Sequence, residues 1–233
     1  KANGRSEDAA RDFSPYLVTL LDPTNVASEA YRTLRANLIY GSVDSPPRVV
    51  VITSPGRREG KSITCTNLGV VLAEVGKSVL IIDCDLRHPT MHRVFGLGSS
   101  WGLITVLVQE CSLKDALDEP AEGLNILTVG PVPPNPTEVL SSQRFAELVR
   151  QVRERYDYVL LDGPPVGPVS DPAILSIHAD SALLVIDARK TRKMALHQSI
   201  RSLETVGADV LGVVMNNARA LGSNGYYRRA SRW

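Results

Sequence analysis

Residues Ser54-Pro55-Gly56-Arg57-Arg58-Glu59-Gly60-Lys61-Ser62 set small and cationic side chains in an order that can bind phosphate. In a loop of this kind, successive backbone N–H groups and the N-terminus of the next helix cradle the phosphate oxygens. A lysine balances charge on the β and γ groups, and a hydroxyl reaches Mg²⁺. Lys61 and Ser62 stand in those two places, and Gly60 keeps the backbone close to the ligand. Proline, not glycine, stands six positions before Lys61, so only the Gly60-Lys61-Ser62 half has the common form. Asp83-Cys84-Asp85-Leu86-Arg87 then places two carboxylates on one side of a strand end, because alternate residues share a face. Asp162-Gly163-Pro164-Pro165 adds a third acid. Carboxylates facing a phosphate loop can hold Mg²⁺ or its waters, and one can accept a proton. Asp162 taken alone could also serve as a helix cap or turn former, the lesser of the two readings.

Such residues need strands and helices to place them. Apolar runs rich in Val, Ile and Leu recur at 49–52, 79–82, 124–129, 158–161, 182–186 and 210–215. They predict strands buried on both faces, as in a parallel sheet. The intervening segments carry helical spacing; Leu68, Val71, Leu72 and Val75 are one example, closed by Gly76 at a C-cap. Alternating strand and helix implies right-handed βαβ units. The expected fold is a three-layer α/β/α sandwich with a mainly parallel central sheet, and ligands bind at the C-terminal ends of such strands. Residues 1–15 read as a flexible lead, 16–221 as one domain, and 222–233 as a flexible tail. The proline-rich stretch 131–136 reads as a stiff connector, with a helix resuming at once.

Composition narrows the function classes. A hydrophobic content of 43% with 22% charged residues belongs to a folded chain, and a net charge of +1 gives no general reason to expect nucleic acid. Cys65, Cys84 and Cys111 are scattered and form neither a disulfide framework nor a metal pattern. No run approaches the roughly 18 apolar residues of a spanning helix, so a cytoplasmic location is expected. The first residue is Lys1, which allows an upstream part carrying a membrane anchor.

From about residue 25 to 220 the chain resembles the bacterial tyrosine kinases of capsule and exopolysaccharide export. These form a branch of the P-loop ATPases that also holds division-site and plasmid-partition ATPases. The loop is similar to Walker A, Asp83-Cys84-Asp85-Leu86-Arg87-His88-Pro89 to Walker A′, and Tyr158-Val159-Leu160-Leu161-Asp162-Gly163-Pro164-Pro165 to Walker B. The segment from Gly130 to Leu140 also resembles the family. So does Glu29-Ala30-Tyr31-Arg32-Thr33-Leu34-Arg35, matching the E-x-x-R-x-x-R helix thought to build rings. Partition ATPases carry a second lysine five positions before the main one, where this chain has Gly56.

The resemblance implies a P-loop NTPase fold, ATP and Mg²⁺ as cofactors, and an ATP-dependent protein-tyrosine autokinase. Gly56, Glu59, Gly60, Lys61, Ser62, Ile63, Arg87 and Asn216 would bind nucleotide, with Asn216 or the adjacent Asn217 at the adenine. Ser62, Asp83, Asp85 and Asp162 would form the metal set, and Asp83 would be the base for the tyrosine hydroxyl, with Lys61 and Asp85 in the catalytic centre. Glu29, Arg32 and Arg35 would hold a homo-oligomeric ring, an octamer being one such size. Tyr226 and Tyr227 would be the autophosphorylated residues. The implied partner is a membrane polysaccharide co-polymerase activator, fused upstream or separate, at the inner face of the plasma membrane. A partition-type positioning ATPase and a weakly catalytic nucleotide-binding module are the alternatives. Arg57 and Arg58 replace the family's Pro-Gly; they would either touch phosphate or point to solvent. A left-handed backbone at position 58 would strain the arginine and lower turnover.

Overall fold

The computed structural model describes residues 12–41 and 46–218. Tyr226 and Tyr227 lie outside the described residues. Seven strands form one sheet: β1 (Val49–Thr53), β2 (Val79–Asp83), β3 (Leu117–Ala121), β4 (Leu124–Leu127), β5 (Tyr158–Asp162), β6 (Ser181–Asp187) and β7 (Val210–Asn216). Their order is β3-β4-β2-β5-β1-β6-β7, with every pairing parallel except that of β3 with β4. The strand order reverses direction around β1, so the loop after β1 opens at the switch point of the sheet.

The unbroken apolar runs are explained by the two faces. Val49, Val51, Leu80, Ile82, Val159 and Leu161 pack into one core cluster with Phe145, Val149 and Val152 of the helix Gln143–Arg155. Their alternating neighbours Val50, Ile52, Val79, Ile81, Tyr158 and Leu160 pack on the other side with Leu68, Val71 and Leu72 of the helix Lys61–Ala73. Period-two alternation thus feeds two cores, and both faces must be apolar. The result is the expected three-layer sandwich.

Several details differ from what the sequence predicts. β3 has no apolar run and contains Pro120; its edge position, antiparallel to β4, tolerates a residue that cannot donate to the ladder. β4 stops at Leu127 because the Thr128 and Val129 carbonyls turn to the N–H groups of Leu103 and Ile104. β7 is not buried on both faces: it ends the sheet, and Val213 and Met215 are 42% and 59% exposed. The helix after the phosphate loop ends at Ala73, short of Val75, while Gly76 takes the left-handed turn at φ 76°. Within the segment expected to be a flexible lead, Phe13 packs against the core and the Ser14 N–H donates to the Val94 carbonyl at 2.9 Å. As expected, a helix begins at Pro136, directly after the connector.

Candidate nucleotide site

The loop 54–60 leaves β1 and enters the helix at Lys61, whose N-cap is Gly60. Gly60 has φ 98°, and a Cβ there would lie 2.0 Å from the Asn216 side-chain nitrogen. Only glycine fits both the backbone and the space. Asn216, at the end of β7, donates to the Glu59 carbonyl at 3.0 Å and accepts from the Asn217 N–H. Its amide therefore sits under the loop. Glu59 is 5% exposed; its carboxylate accepts from the Gly56 N–H at 2.8 Å and from the Thr191 hydroxyl. Lys190 donates to the Arg57 and Arg58 carbonyls at 3.1 and 2.8 Å. These contacts from the turn after β6 brace a loop whose N–H groups must stay aimed outward. Sequence reasoning missed Lys190 and Thr191, which carry no local signal of the loop they hold.

Lys61 is the electrostatic centre. Its Nζ lies 2.9 Å from Asp85 Oδ2, 3.5 Å from Asp162 Oδ1 and 3.1 Å from Ser62 Oγ. Burial disfavours this ammonium, yet the charges of Asp162 and Asp85 outweigh burial and raise its pKa. Asp83 and Asp162 are paired across β2 and β5, and both are fully buried. Burial, then the charge of Asp162, pushes Asp83 up to about 7. Burial raises Asp162 as well, against the opposing pull of Lys61. Asp83 Oδ2 accepts from the Thr90 and Met91 N–H groups at 2.9 and 3.0 Å, and its Oδ1 from the Asp85 N–H at 3.2 Å. Among the described residues, Asp162 Oδ2 is buried with no hydrogen-bond partner.

A cleft of about 470 Å³ opens in front of the loop, lined by Gly60, Lys61, Ser62, Ile63 and Asp85, and also by Arg57, Arg58, His88, Thr90 and Arg93. Asp83 is not among the lining residues. Arg87 turns to Asp171 at 2.9 Å and to Thr137 at 3.0 Å, and the Thr137 hydroxyl in turn donates to Asp171 at 2.7 Å. Arg87 thus ties the turn after β2 to the helices Pro136–Leu140 and Asp171–Ile177. Among the described residues no group of three or more His, Cys, Asp or Glu is arranged to hold a metal.

Arg58 has φ 58°, so the left-handed backbone falls where arginine stands. That conformation costs a non-glycine residue about 1 kcal/mol. Its side chain nevertheless lines the cleft. Arg58→Gly is expected to change stability by less than about 1 kcal/mol while raising the KM for ATP several-fold. An unchanged KM with faster turnover would reduce Arg58 to a backbone strain.

Residues 48–211 match the family described as an AAA domain. The tyrosine-protein kinase YwqD of Bacillus subtilis (strain 168) is 42% identical over 204 residues, covering 87% of this chain and 86% of YwqD. The kinase domain of the Escherichia coli tyrosine kinase ETK has a TM-score of 0.85 at 28% identity, covering 96% of this chain and 86% of that one. The septum site-determining protein MinD of Pyrococcus horikoshii OT3, complexed with Mg-ADP, has a TM-score of 0.61 at 25% identity, over 72% of this chain and 69% of that one. No helix among the described residues is long and apolar enough to cross a membrane. A Walker-type loop braced at the switch point of a parallel sheet, with carboxylates at two neighbouring strand ends, and a kinase relative matched over most of its length place this chain in the bacterial tyrosine-protein kinase family, on a P-loop NTPase fold.

Proposed function

We propose that the chain is an ATP-dependent protein-tyrosine autokinase that regulates capsule or exopolysaccharide polymerisation and export at the cytoplasmic face of the membrane. The observation that carries the reading is the Lys61 ammonium, held 2.9 Å from Asp85 and 3.5 Å from Asp162 at the base of the braced loop. In the transfer, the tyrosine oxygen bonds to the γ-phosphorus as the bond to the bridging β–γ oxygen breaks. ADP leaves with the electron pair, and the hydroxyl proton passes to a carboxylate. The family resemblance makes that carboxylate Asp83. Geometry favours Asp85, which lines the cleft, over Asp83, which is enclosed and already accepts three N–H bonds.

Mg²⁺ fits this site as an ion carried in on the phosphates. Ser62 Oγ and Asp85, which line the cleft, and the buried Asp162 Oδ2 supply hard oxygen donors, and among the described residues too few carboxylates converge to hold a bare ion. When bound, it would neutralise charge on the phosphates. Gly60, Lys61, Ser62 and Ile63 would contact the nucleotide directly; Gly56 and Glu59, through their mutual hydrogen bond, and Asn216 would act by holding the loop, and Arg87 through its tie to Asp171.

Incubation of the chain with ATP and Mg²⁺ followed by phosphotyrosine detection tests the reading. A signal that grows with time, at Tyr226, Tyr227 or an added acceptor, is expected. ATP hydrolysis with nucleotide-dependent dimerisation and no phosphotyrosine would instead make the chain a positioning ATPase. Gly56 argues against that alternative, since it stands where a second lysine would be needed.

The ring helix carries a second prediction. Arg32 bonds Glu29 and the Pro23 carbonyl and reaches Glu74 at 3.3 Å, while Arg35 donates to the Val71 carbonyl at 2.8 Å. The two arginines therefore clamp the helix Val26–Tyr40 to the C-terminal turn of Lys61–Ala73, where cations are favoured. Arg32→Ala with Arg35→Ala is expected to lower stability by about 1–2 kcal/mol and to shift a Glu29/Arg32/Arg35-mediated oligomer toward monomer. Unchanged particle size by light scattering would remove the ring role and leave only the clamp. The membrane activator, fused upstream or separate, is part of the same proposal.

A further inference from the structure

The nucleotide cleft does not stop at the phosphate loop. His88 and Arg93 line it, and they also line a second hollow of about 420 Å³ whose walls include His92, Pro89 and Val132. The two hollows share those two residues and therefore adjoin. No carboxylate lines the second hollow. Arg87, which also faces it, is neutralised by Asp171, whereas among the described residues the Arg93 guanidinium reaches only the Pro89 carbonyl, at 3.2 Å. Arg93 forms no ion pair with any described carboxylate, and neither do Arg57 and Arg58 at the opening of the nucleotide cleft. Val132, 60% exposed, and Pro89 give the hollow an apolar surface on which an aromatic ring can lie.

We propose that the two hollows form one acceptor channel, in which a tyrosine reaches the nucleotide end while its flanking residues lie along Arg93, and that the channel selects tyrosines flanked by Asp or Glu. The inference rests on the kinase reading of the site and names its substrate class. An unpaired cation in a hollow without carboxylates favours an anionic segment and repels a cationic one. The chain's own Tyr226-Tyr227-Arg228-Arg229 sets two arginines beside its tyrosines, so self-phosphorylation there uses a weaker acceptor than an acidic segment does. The favoured occupant is an acidic segment of another protein.

Binding can be read without chemistry. Fluorescent peptides with a central tyrosine, flanked by glutamates in one and arginines in the other, are titrated against the full chain. Mg²⁺ and a non-hydrolysable ATP analogue are present, and anisotropy is followed. The acidic peptide is expected to bind at least about ten-fold more tightly at low salt, with the gap shrinking as salt is added. Arg93→Gln should narrow the gap about five-fold, as one ion pair at a partly enclosed site would, and Arg93→Lys should restore most of it. Equal binding of the two peptides, or a gap that Arg93→Gln leaves untouched, overturns the channel. The same peptides with ATP separate the two readings: preferential binding without phosphotyrosine would remove the kinase reading and leave the acidic-segment site standing.

Discussion

Lys61→Met is expected to reduce tyrosine phosphorylation by about 10³-fold or more, the range seen when a preorganised cation is removed from developing charge. It should also weaken the fold. Lys61 compensates the negative charge of Asp85 and Asp162, and through space that of Asp83, all three nearly or fully buried. Breaking a buried pair by deleting one partner costs about 3–5 kcal/mol. Two of the stranded groups, Asp83 and Asp162, already hold protons more tightly than ordinary aspartates, so lowering the pH should neutralise them and recover much of the lost stability. Thermal melts of the variant at pH 8 and pH 5 check this: the deficit against wild type is expected at pH 8 and reduced at pH 5. A variant that melts like wild type at pH 8 yet still phosphorylates would mean that Lys61 is neither the phosphate cation nor the charge anchor.

Asp162→Asn should do the opposite to stability while still removing activity. The amide can keep an oxygen toward Lys61, whose charge stays paired with Asp85 at 2.9 Å. Asp83 would lose the like charge that, after burial, does most to raise it to about 7. For a carboxylate whose folded pKa lies above its unfolded value near 4, ionisation favours unfolding. The penalty is absent below about pH 4, grows up to about pH 7 and is fully present above it. Removing Asp162 relieves that penalty, so the nucleotide-free variant should be more stable by about 1–2 kcal/mol at pH 8, a few degrees in Tm for a chain of this size. The gain should fade toward pH 5. Phosphoryl transfer should drop at least about 100-fold if, as proposed above, Asp162 supplies one oxygen to the nucleotide-borne ion. Ionised acids that oppose folding are what a site shaped for function at the expense of stability carries. A lower Tm at pH 8 would show that Asp162 serves the fold.

Much of this site is local in the chain and is therefore legible in the amino-acid sequence. The strand 49–53, the loop and the helix that follows are contiguous, and Asp83, Asp85 and Asp162 each stand at or just past the end of an apolar run. The left-handed backbone at position 58 is foreseeable in the same way, because the turn of the loop demands it whichever residue is present. Partners far along the chain are not legible. Glu59 meets Thr191 across 132 positions, Lys190 meets the Arg57 carbonyl across 133, and Arg87 meets Asp171 across 84. β3 escapes for another reason: an edge strand needs only backbone pairing, so its side chains carry no apolar period.

By itself the sequence determined that a phosphate loop follows the first of several doubly buried strands and that acids stand at two later strand ends, because hydrophobic period, glycine and capping act over a few residues. The tertiary structure alone decided how those acids divide their work. Strand pairing put Asp83 against Asp162 and buried both, set Asp85 in the cleft, and gave Lys61 to Asp85 and Asp162 rather than to solvent. Register and burial belong to the whole sheet, and they set the charge each carboxylate can hold.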